Sequence, residues 1–375
     1  MNEHPHARAM RHAPRDFSRT PLNLYWELTQ ACPLACRHCR AEAMPCAAPG
    51  ELTHAQAVAF LRQIPGFGDP VPNLILTGGD PLARPDLFEL IAEAKALGIP
   101  MSITPAASPA LTRDVLQRLR DAGVDGLGLS LDGSTAAKHD AIRQVPGTFD
   151  RTLQALRDAA ALGMPIQVNT LVSAQTAPDL PAVFALLEDE PIVRWSLFFL
   201  IAVGRGAGLE ALPAEEAEEL MGWIHATARR APFAVATTEA PAYRRVALDR
   251  MRAAGMSADE IRTSPVYQGF AVRDGHGIAF VSHTGDVCPA GFLPVAAGNV
   301  TRESVVDVYR DAPLFKQLHD PNTFHGKCGA CEHRFLCGGS RARAFAATGD
   351  PLGTDPLCTY EPRAGAGPHG TDGEN

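Results

Sequence analysis

No cysteine occurs between Cys46 and Cys288, although the 375-residue chain has nine. Four lie between positions 32 and 46 and five between 288 and 358, which is not how a disulfide framework spreads through a chain of this size. No run of 18 or more apolar residues is present, which excludes a membrane-spanning helix. Residues 1–20 lack any apolar stretch and so are not a secretory signal. They read as a disordered arm, and the Gly-rich, polar stretch 363–375 reads as a disordered tail. A basic excess is missing too: 34 Lys and Arg stand against 42 Asp and Glu, a net charge of −8, which weighs against a nucleic-acid partner. No internal repeat is apparent. These absences point to a cytoplasmic protein with no membrane or nucleic-acid partner, in which clustered cysteines signal metal.

What is present suits a globular enzyme-sized chain. Hydrophobic residues make up 46%, enough for the core of a large barrel plus an appendage. Short apolar runs at 22–28, 73–76, 101–104, 126–131, 166–171 and 194–200 read as strands. Amphipathic stretches at 53–63, 86–97, 112–122 and 149–162 read as helices, and Gly98, Gly123 and Gly163 follow three of them where a C-terminal cap belongs. Six strand–helix units imply a parallel sheet with right-handed crossovers. Six are too few for a closed eight-fold barrel. The expected fold is therefore α/β, a partial (β/α)6 TIM-like barrel followed by a small Cys-rich C-terminal domain. Residues 204–262 read as helical and charged; from Val266 the chain turns Gly- and Cys-rich, with a short strand at 277–282. The expected domains are 21–265 and 266–362.

Cys32, Cys36 and Cys39 stand in the order C-x3-C-x2-C directly after the first strand. Parallel barrels build their sites at the C-terminal ends of the strands, so three thiols meet on one loop where chemistry is expected. Thiolates bind iron–sulfur clusters, and three of them leave one iron of a cubane without a protein ligand. A structural zinc site, with His38 as a further ligand, is the alternative reading of the same residues.

This spacing after a first barrel strand resembles the signature of the radical S-adenosylmethionine (SAM) superfamily. The resemblance implies a [4Fe-4S] cluster on Cys32, Cys36 and Cys39, with SAM chelated at the fourth iron and cleaved by one electron to methionine and a 5′-deoxyadenosyl radical. Where the family usually carries an aromatic residue before the last cysteine, this chain has His38. Gly78-Gly79-Asp80-Pro81 ends the second strand and is similar to the family's Gly-Gly-Glu-Pro motif at the SAM amino group, with Asp80 in place of Glu. Ser130 and Asp132, in Ser130-Leu131-Asp132-Gly133, resemble the family's fourth-strand motif near SAM. Arg143 resembles the arginine that steadies the SAM carboxylate, and Asn169 the residue that contacts the ribose. Each of these also has a plain reading as a turn, strand-end or surface residue.

At the other end, Cys328, Cys331, Cys337 and Cys358 have the spacing C-x2-C-x5-C-x20-C. Four thiolates close either a cluster or a zinc ribbon. The stretch is similar to the auxiliary-cluster domains called SPASM and twitch, which implies one auxiliary [4Fe-4S] cluster. The complete SPASM pattern has seven cysteines and two such clusters. Here Glu303 and Arg341 stand where two of those cysteines would, Cys288 is left lining the cluster's surroundings or free, and Cys46 reads as a plain thiol. The run from Cys337 through Ala344, CGGSRARA, is similar to radical SAM enzymes that alter carboxylate side chains of iron tetrapyrroles in haem-type biosynthesis. That resemblance implies a small tetrapyrrole substrate, with Arg341 and Arg343 as candidates for its carboxylates, and an electron donor such as flavodoxin or ferredoxin. A maturase of ribosomal peptides and a non-catalytic zinc-binding scaffold are the competing readings. The stretch before the first strand is short for a peptide-recognition domain.

Overall fold

Leu24, Trp26 and Leu28 are fully buried and alternate with Asn23, Tyr25 and Glu27, which take the opposite face of the same strand. The buried face packs outward under helices: the Trp26 ring meets Phe60 edge-on, with centroids 5.1 Å apart. The computed structural model in which this is seen describes residues 16–268 and 272–363. Of the arm and tail read from the sequence, 1–15 and 364–375 lie outside the described residues, and residues 16–20 form a turn.

The chain runs β1 (Asn23–Glu27), α1 (His54–Leu61), β2 (Asn73–Thr77), α2 (Leu87–Ala96), β3 (Met101–Ile103), α3 (Arg113–Asp121) and β4 (Gly126–Ser130). It continues with α4 (Ala136–Arg143), α5 (Thr148–Ala161), β5 (Ile166–Val172), α6 (Leu180–Glu188), β6 (Arg194–Phe199), α7 (Ala214–Ala228), β7 (Ala234–Thr238) and α8 (Tyr243–Ala253). After α9 (Ala258–Thr263) and α10 (Pro265–Gln268) come β8 (Ile278–Val281), β9 (Asp286–Cys288) and β10 (Gly298–Asn299). Four helices end the chain: α11 (Val305–Asp311), α12 (Pro313–His319), α13 (Gly326–Ala330) and α14 (Arg341–Thr348). Thr53 and Thr112 cap α1 and α3 through their hydroxyls, as small polar residues do. Gly98, Gly123 and Gly163 have φ of 72°, 89° and 76°, the left-handed turn that ends a helix.

The fold is α/β around a parallel sheet, as expected. The six strands legible in the sequence pair in order from β1 to β6, and two more parallel strands extend them. β7 adds to β6, and β8 adds to β1 on the other edge, followed by antiparallel β9 and β10. β7 and β8 are not hydrogen-bonded to each other, so the sheet stays open. β7 escaped detection because AVATT has no large apolar residue and is half-exposed at the sheet's edge. The stretch 277–282 was legible as a strand, but its pairing with β1, some 250 residues away, was not.

Below β8, His276 and His319 pack among Phe17, Tyr309 and Phe315. Burial, helped by Arg273, lowers His276 to about 3 and His319 to about 4. The unfolded chain, with ordinary imidazoles near 6.5, takes up these protons first. Stability is therefore expected to fall as pH drops from about 6.5 toward 4. Thermal unfolding across that range should show a shallower decline for His319→Asn.

Candidate active site

The loop after β1 closes on itself: Cys32 N donates to Met44 O at 2.8 Å and Met44 N to Gln30 O at 3.0 Å. Cys32 and Cys36 are buried together with Leu34 and Ala43, and Cys39, Ala106 and Val145 pack against them. Leu34 N and Ala43 N turn toward the sulfurs of Cys32 and Cys39, each at 3.4 Å. Burial pushes the Cys32 thiol up to about 12, so its thiolate needs a cation such as cluster iron to form near neutral pH. Two clamps on this loop escaped the sequence reading. Arg205, just past β6, donates to Cys36 O and Ala43 O, both at 2.9 Å. Glu51 accepts from Thr29 Oγ1 and Gln30 N, both at 2.8 Å. Neither position belongs to a motif.

Gly78 and Gly79 bring the end of β2 against this loop. Gly79 N donates to Thr29 O and Asp80 N to Ala31 O, both at 2.7 Å. A Cβ on Gly79 would stand 2.3 Å from Ala31 O, and one on Gly78 2.6 Å from Thr29 O. The glycines are thus demanded by the contact between two strand ends, whatever else they serve. Gly79→Ala is expected to cost about 1–3 kcal/mol, as overpacking does, measured by urea unfolding. Asp80 is almost fully buried and accepts from Leu82 N, Ala106 N and Ser108 Oγ; burial raises its pKa. Pro81 opens the short turn that follows.

Ser130 and Asn169 are register partners at the ends of β4 and β5, and Asn169 Oδ1 accepts from Gln167 Nε2 at 2.7 Å. Asp132 accepts from Leu171 N at 2.8 Å and pairs with Arg143 Nη2 at 2.6 Å. Burial works to raise the Asp132 pKa, but Arg143 outweighs it and holds the carboxyl below its usual range. Arg143 also donates to Cys36 Sγ at 3.6 Å. The structure therefore gathers Cys36, Asp132 and Arg143, three residues spread over more than a hundred positions. His38 Nδ1 and His139 Nε2 are buried beside them without a hydrogen-bond partner, and burial keeps both rings neutral, at about 4.

The C-terminal thiols form a second centre. Cys328, Cys331, Cys337 and Cys358 line one cavity with Arg245, Lys327 and Tyr360. His333 N, Gly339 N and Asp355 N donate to the sulfurs of Cys331, Cys337 and Cys328, each at 3.4 Å. Burial raises Cys331 and Cys358 and pushes Cys337 up to about 12. Among the described residues no group of three or more His, Cys, Asp and Glu side chains closes round a single point. What marks these thiols as possible ligands is their number, their burial and the N–H groups turned toward them.

Arg341 and Arg343 are not laid out for a substrate. Arg341 is fully buried and donates to Gly339 O, Pro351 O, Gly353 O and, at 3.3 Å, Cys328 Sγ. Arg343 spans to Asp355, Glu239 O and Leu200 O. Their donors serve the protein itself, because both side chains are buried where backbone carbonyls and Asp355 surround them. Cys288 is buried in β9, away from that cavity, with Arg40 and Glu27 among its charged neighbours. Glu303 accepts from Asn299 N in the turn after β10. Cys46 is exposed.

The family description "Radical SAM superfamily" matches residues 26–186. The chain is 35% identical to the AdoMet-dependent heme synthase of Oleidesulfovibrio alaskensis over 97% of this chain and 93% of that one. It is 31% identical to the pre-heme d1 synthase of Dinoroseobacter shibae over 92% of this chain and 88% of that one. In fold it is similar to Streptococcus suis SuiB solved with S-adenosylmethionine, with a TM-score of 0.69 at 18% identity over 91% of this chain and 78% of that one. No helix among the described residues is long and apolar enough to cross a membrane.

Proposed function

The chain belongs to the radical SAM superfamily and is an enzyme of that class, and from this premise we propose that it modifies a carboxylate side chain of an iron tetrapyrrole in haem-type biosynthesis. One observation carries the reading: similarity to enzymes named heme synthase runs over nearly the whole chain, including the four-cysteine end. In this reading residues 21–265 bind SAM and residues 266–362 carry a second cluster. Cys32, Cys36 and Cys39 hold the first [4Fe-4S] cluster, which when bound supplies the electron, drawn from a flavodoxin or ferredoxin, that breaks SAM into methionine and a 5′-deoxyadenosyl radical. Arg205 and Glu51 hold the cysteine loop in place for that ligation. Gly78, Gly79, Asp80 and Pro81 shape the wall at the SAM amino end, and Ser130 and Asn169 offer polar groups to the ribose side. Arg143 balances the thiolate of Cys36 against Asp132, and its place beside Cys36 suits it to the SAM carboxylate as well. Cys328, Cys331, Cys337 and Cys358 hold the auxiliary [4Fe-4S] cluster.

The test is anaerobic titration of the reconstituted enzyme with iron-coproporphyrin III and with didecarboxysirohaem, followed by mass analysis. One of them is expected to bind below about millimolar, equivalent to roughly −4 kcal/mol, and to stimulate 5′-deoxyadenosine formation. If neither does, the tetrapyrrole substrate is wrong while the radical chemistry stands. Iron and sulfide analysis separates a cluster enzyme from a zinc scaffold, which would hold zinc and no sulfide.

A further inference from the structure

Glu27 closes β1 on the face turned away from the helices, and it is 3% exposed. Its carboxylate accepts from Arg40 Nη1 at 2.9 Å through one oxygen and meets His283 Nδ1 at 2.6 Å through the other. Burial works against the charge, but Arg40 and His283 outweigh it and keep the pKa below the ordinary glutamate value. A carboxylate has no hydrogen to give, so Nδ1 carries the proton, which in the neutral ring leaves the lone pair on Nε2. No protein group bonds that Nε2 among the described residues, and the His283 side chain is 15% exposed. The imidazole follows the last residue of β8 by two positions, at the strand end where barrels place their chemistry.

The unit is tied to the cysteine loop. Arg40 is the neighbour of Cys39, and its guanidinium lies 4.5 Å over the Phe280 ring of β8. A Cβ on Gly291 would stand 2.8 Å from Arg40 Nε, so the loop after β9 presses on the same guanidinium. His283 is thereby held by two strands and by the loop that carries Cys32, Cys36 and Cys39.

An imidazole backed by a carboxylate, with its far nitrogen open, is the arrangement of a metal-ligating histidine. No third His, Cys, Asp or Glu gathers there among the described residues, so the protein does not itself enclose an ion at this point. An iron already held by four ring nitrogens needs no such enclosure; one axial histidine suffices. We propose that His283 Nε2 ligates the iron of the tetrapyrrole substrate and so sets which ring side chain faces the Cys32–Cys39 loop. This rests on the tetrapyrrole reading given above. Glu27 and Arg40 act through His283 as positioning residues, fixing its tautomer and direction.

The test uses ferric coproporphyrin III and metal-free coproporphyrin III with the cluster-loaded full chain, before any reductant is added. Wild type is expected to give the EPR and visible spectrum of an imidazole-ligated ferric porphyrin. His283→Ala should lose that spectrum and weaken binding of the iron form by about tenfold or more, the scale of a lost metal contact, while metal-free coproporphyrin III binds both proteins alike. Free imidazole should restore the spectrum in the variant. Glu27→Gln, which keeps the imidazole, should shift the spectrum without abolishing ligation, and it serves if His283→Ala does not fold. An iron spectrum and affinity unchanged in both variants overturns the proposal and leaves the tetrapyrrole reading standing. Failure of both porphyrins to bind wild type overturns that reading and this one together.

Discussion

A chain carrying alanine at Cys32, Cys36 and Cys39 is expected to form no 5′-deoxyadenosine and to keep about half of its iron, from about eight atoms per chain to about four if each centre is a cubane. The loss should be complete because the three thiols share one closed loop. Cys32 and Cys36 are buried in a single small cluster with Cys39 packed against it, and the other members, Leu34, Ala43, Ala106 and Val145, have no side-chain group that binds iron. Arg205 clamps the same loop from the end of β6, but it binds the carbonyls of Cys36 and Ala43, so the variant's loop should stay in place. Iron content and 5′-deoxyadenosine release, measured anaerobically with SAM and a strong reductant, check this. Unchanged release by the triple variant would remove the central assignment.

Replacing Cys331 or Cys337 is expected to do the reverse. Iron should fall by about half, to about four atoms per chain, and product should vanish, while SAM cleavage without product partly survives. The four C-terminal thiols line their own cavity, in which none of Cys32, Cys36 and Cys39 takes part. Removing one thiol there leaves the β1 loop and its clamps untouched. Burial also raises Cys358, and whichever of Cys331 and Cys337 is left, as free thiols, so losing one ligand leaves neighbours that give up their protons reluctantly. Cys46→Ser serves as the comparison, because that thiol is exposed and lines neither site. Full retention of iron by the Cys331 and Cys337 variants would show that these thiols are not ligands.

Much of the barrel was legible because its strands are short apolar runs bounded by capped helices. The observed β1 to β6 agree with the expected runs to within one residue at each end. β7 was not legible, since AVATT carries no strong apolar signal. The first group of thiols was legible for another reason: thiol spacing is local, and Cys32, Cys36 and Cys39 stay within one eight-residue stretch wherever it sits. Arg341 and Arg343 show the limit of such reading. Their charge suggested a carboxylate ligand, yet the fold spends their donors on its own carbonyls, on Asp355 and on Cys328 Sγ. The sign of a side chain's charge is written in the sequence; the partners that claim it are not.

By itself, then, the sequence determined the strand–helix order, the two groups of thiols and the family to which they point, because each rests on the order and spacing of residues along the chain. Only the tertiary structure decided that β8 lies beside β1, that Arg143 reaches both Asp132 and Cys36, and that Glu27 meets a histidine 256 residues away. The physical reason is that backbone pairing in a parallel sheet joins strands through long crossovers. The side chains at the strand ends are brought together by that pairing, and no local pattern of residues records it.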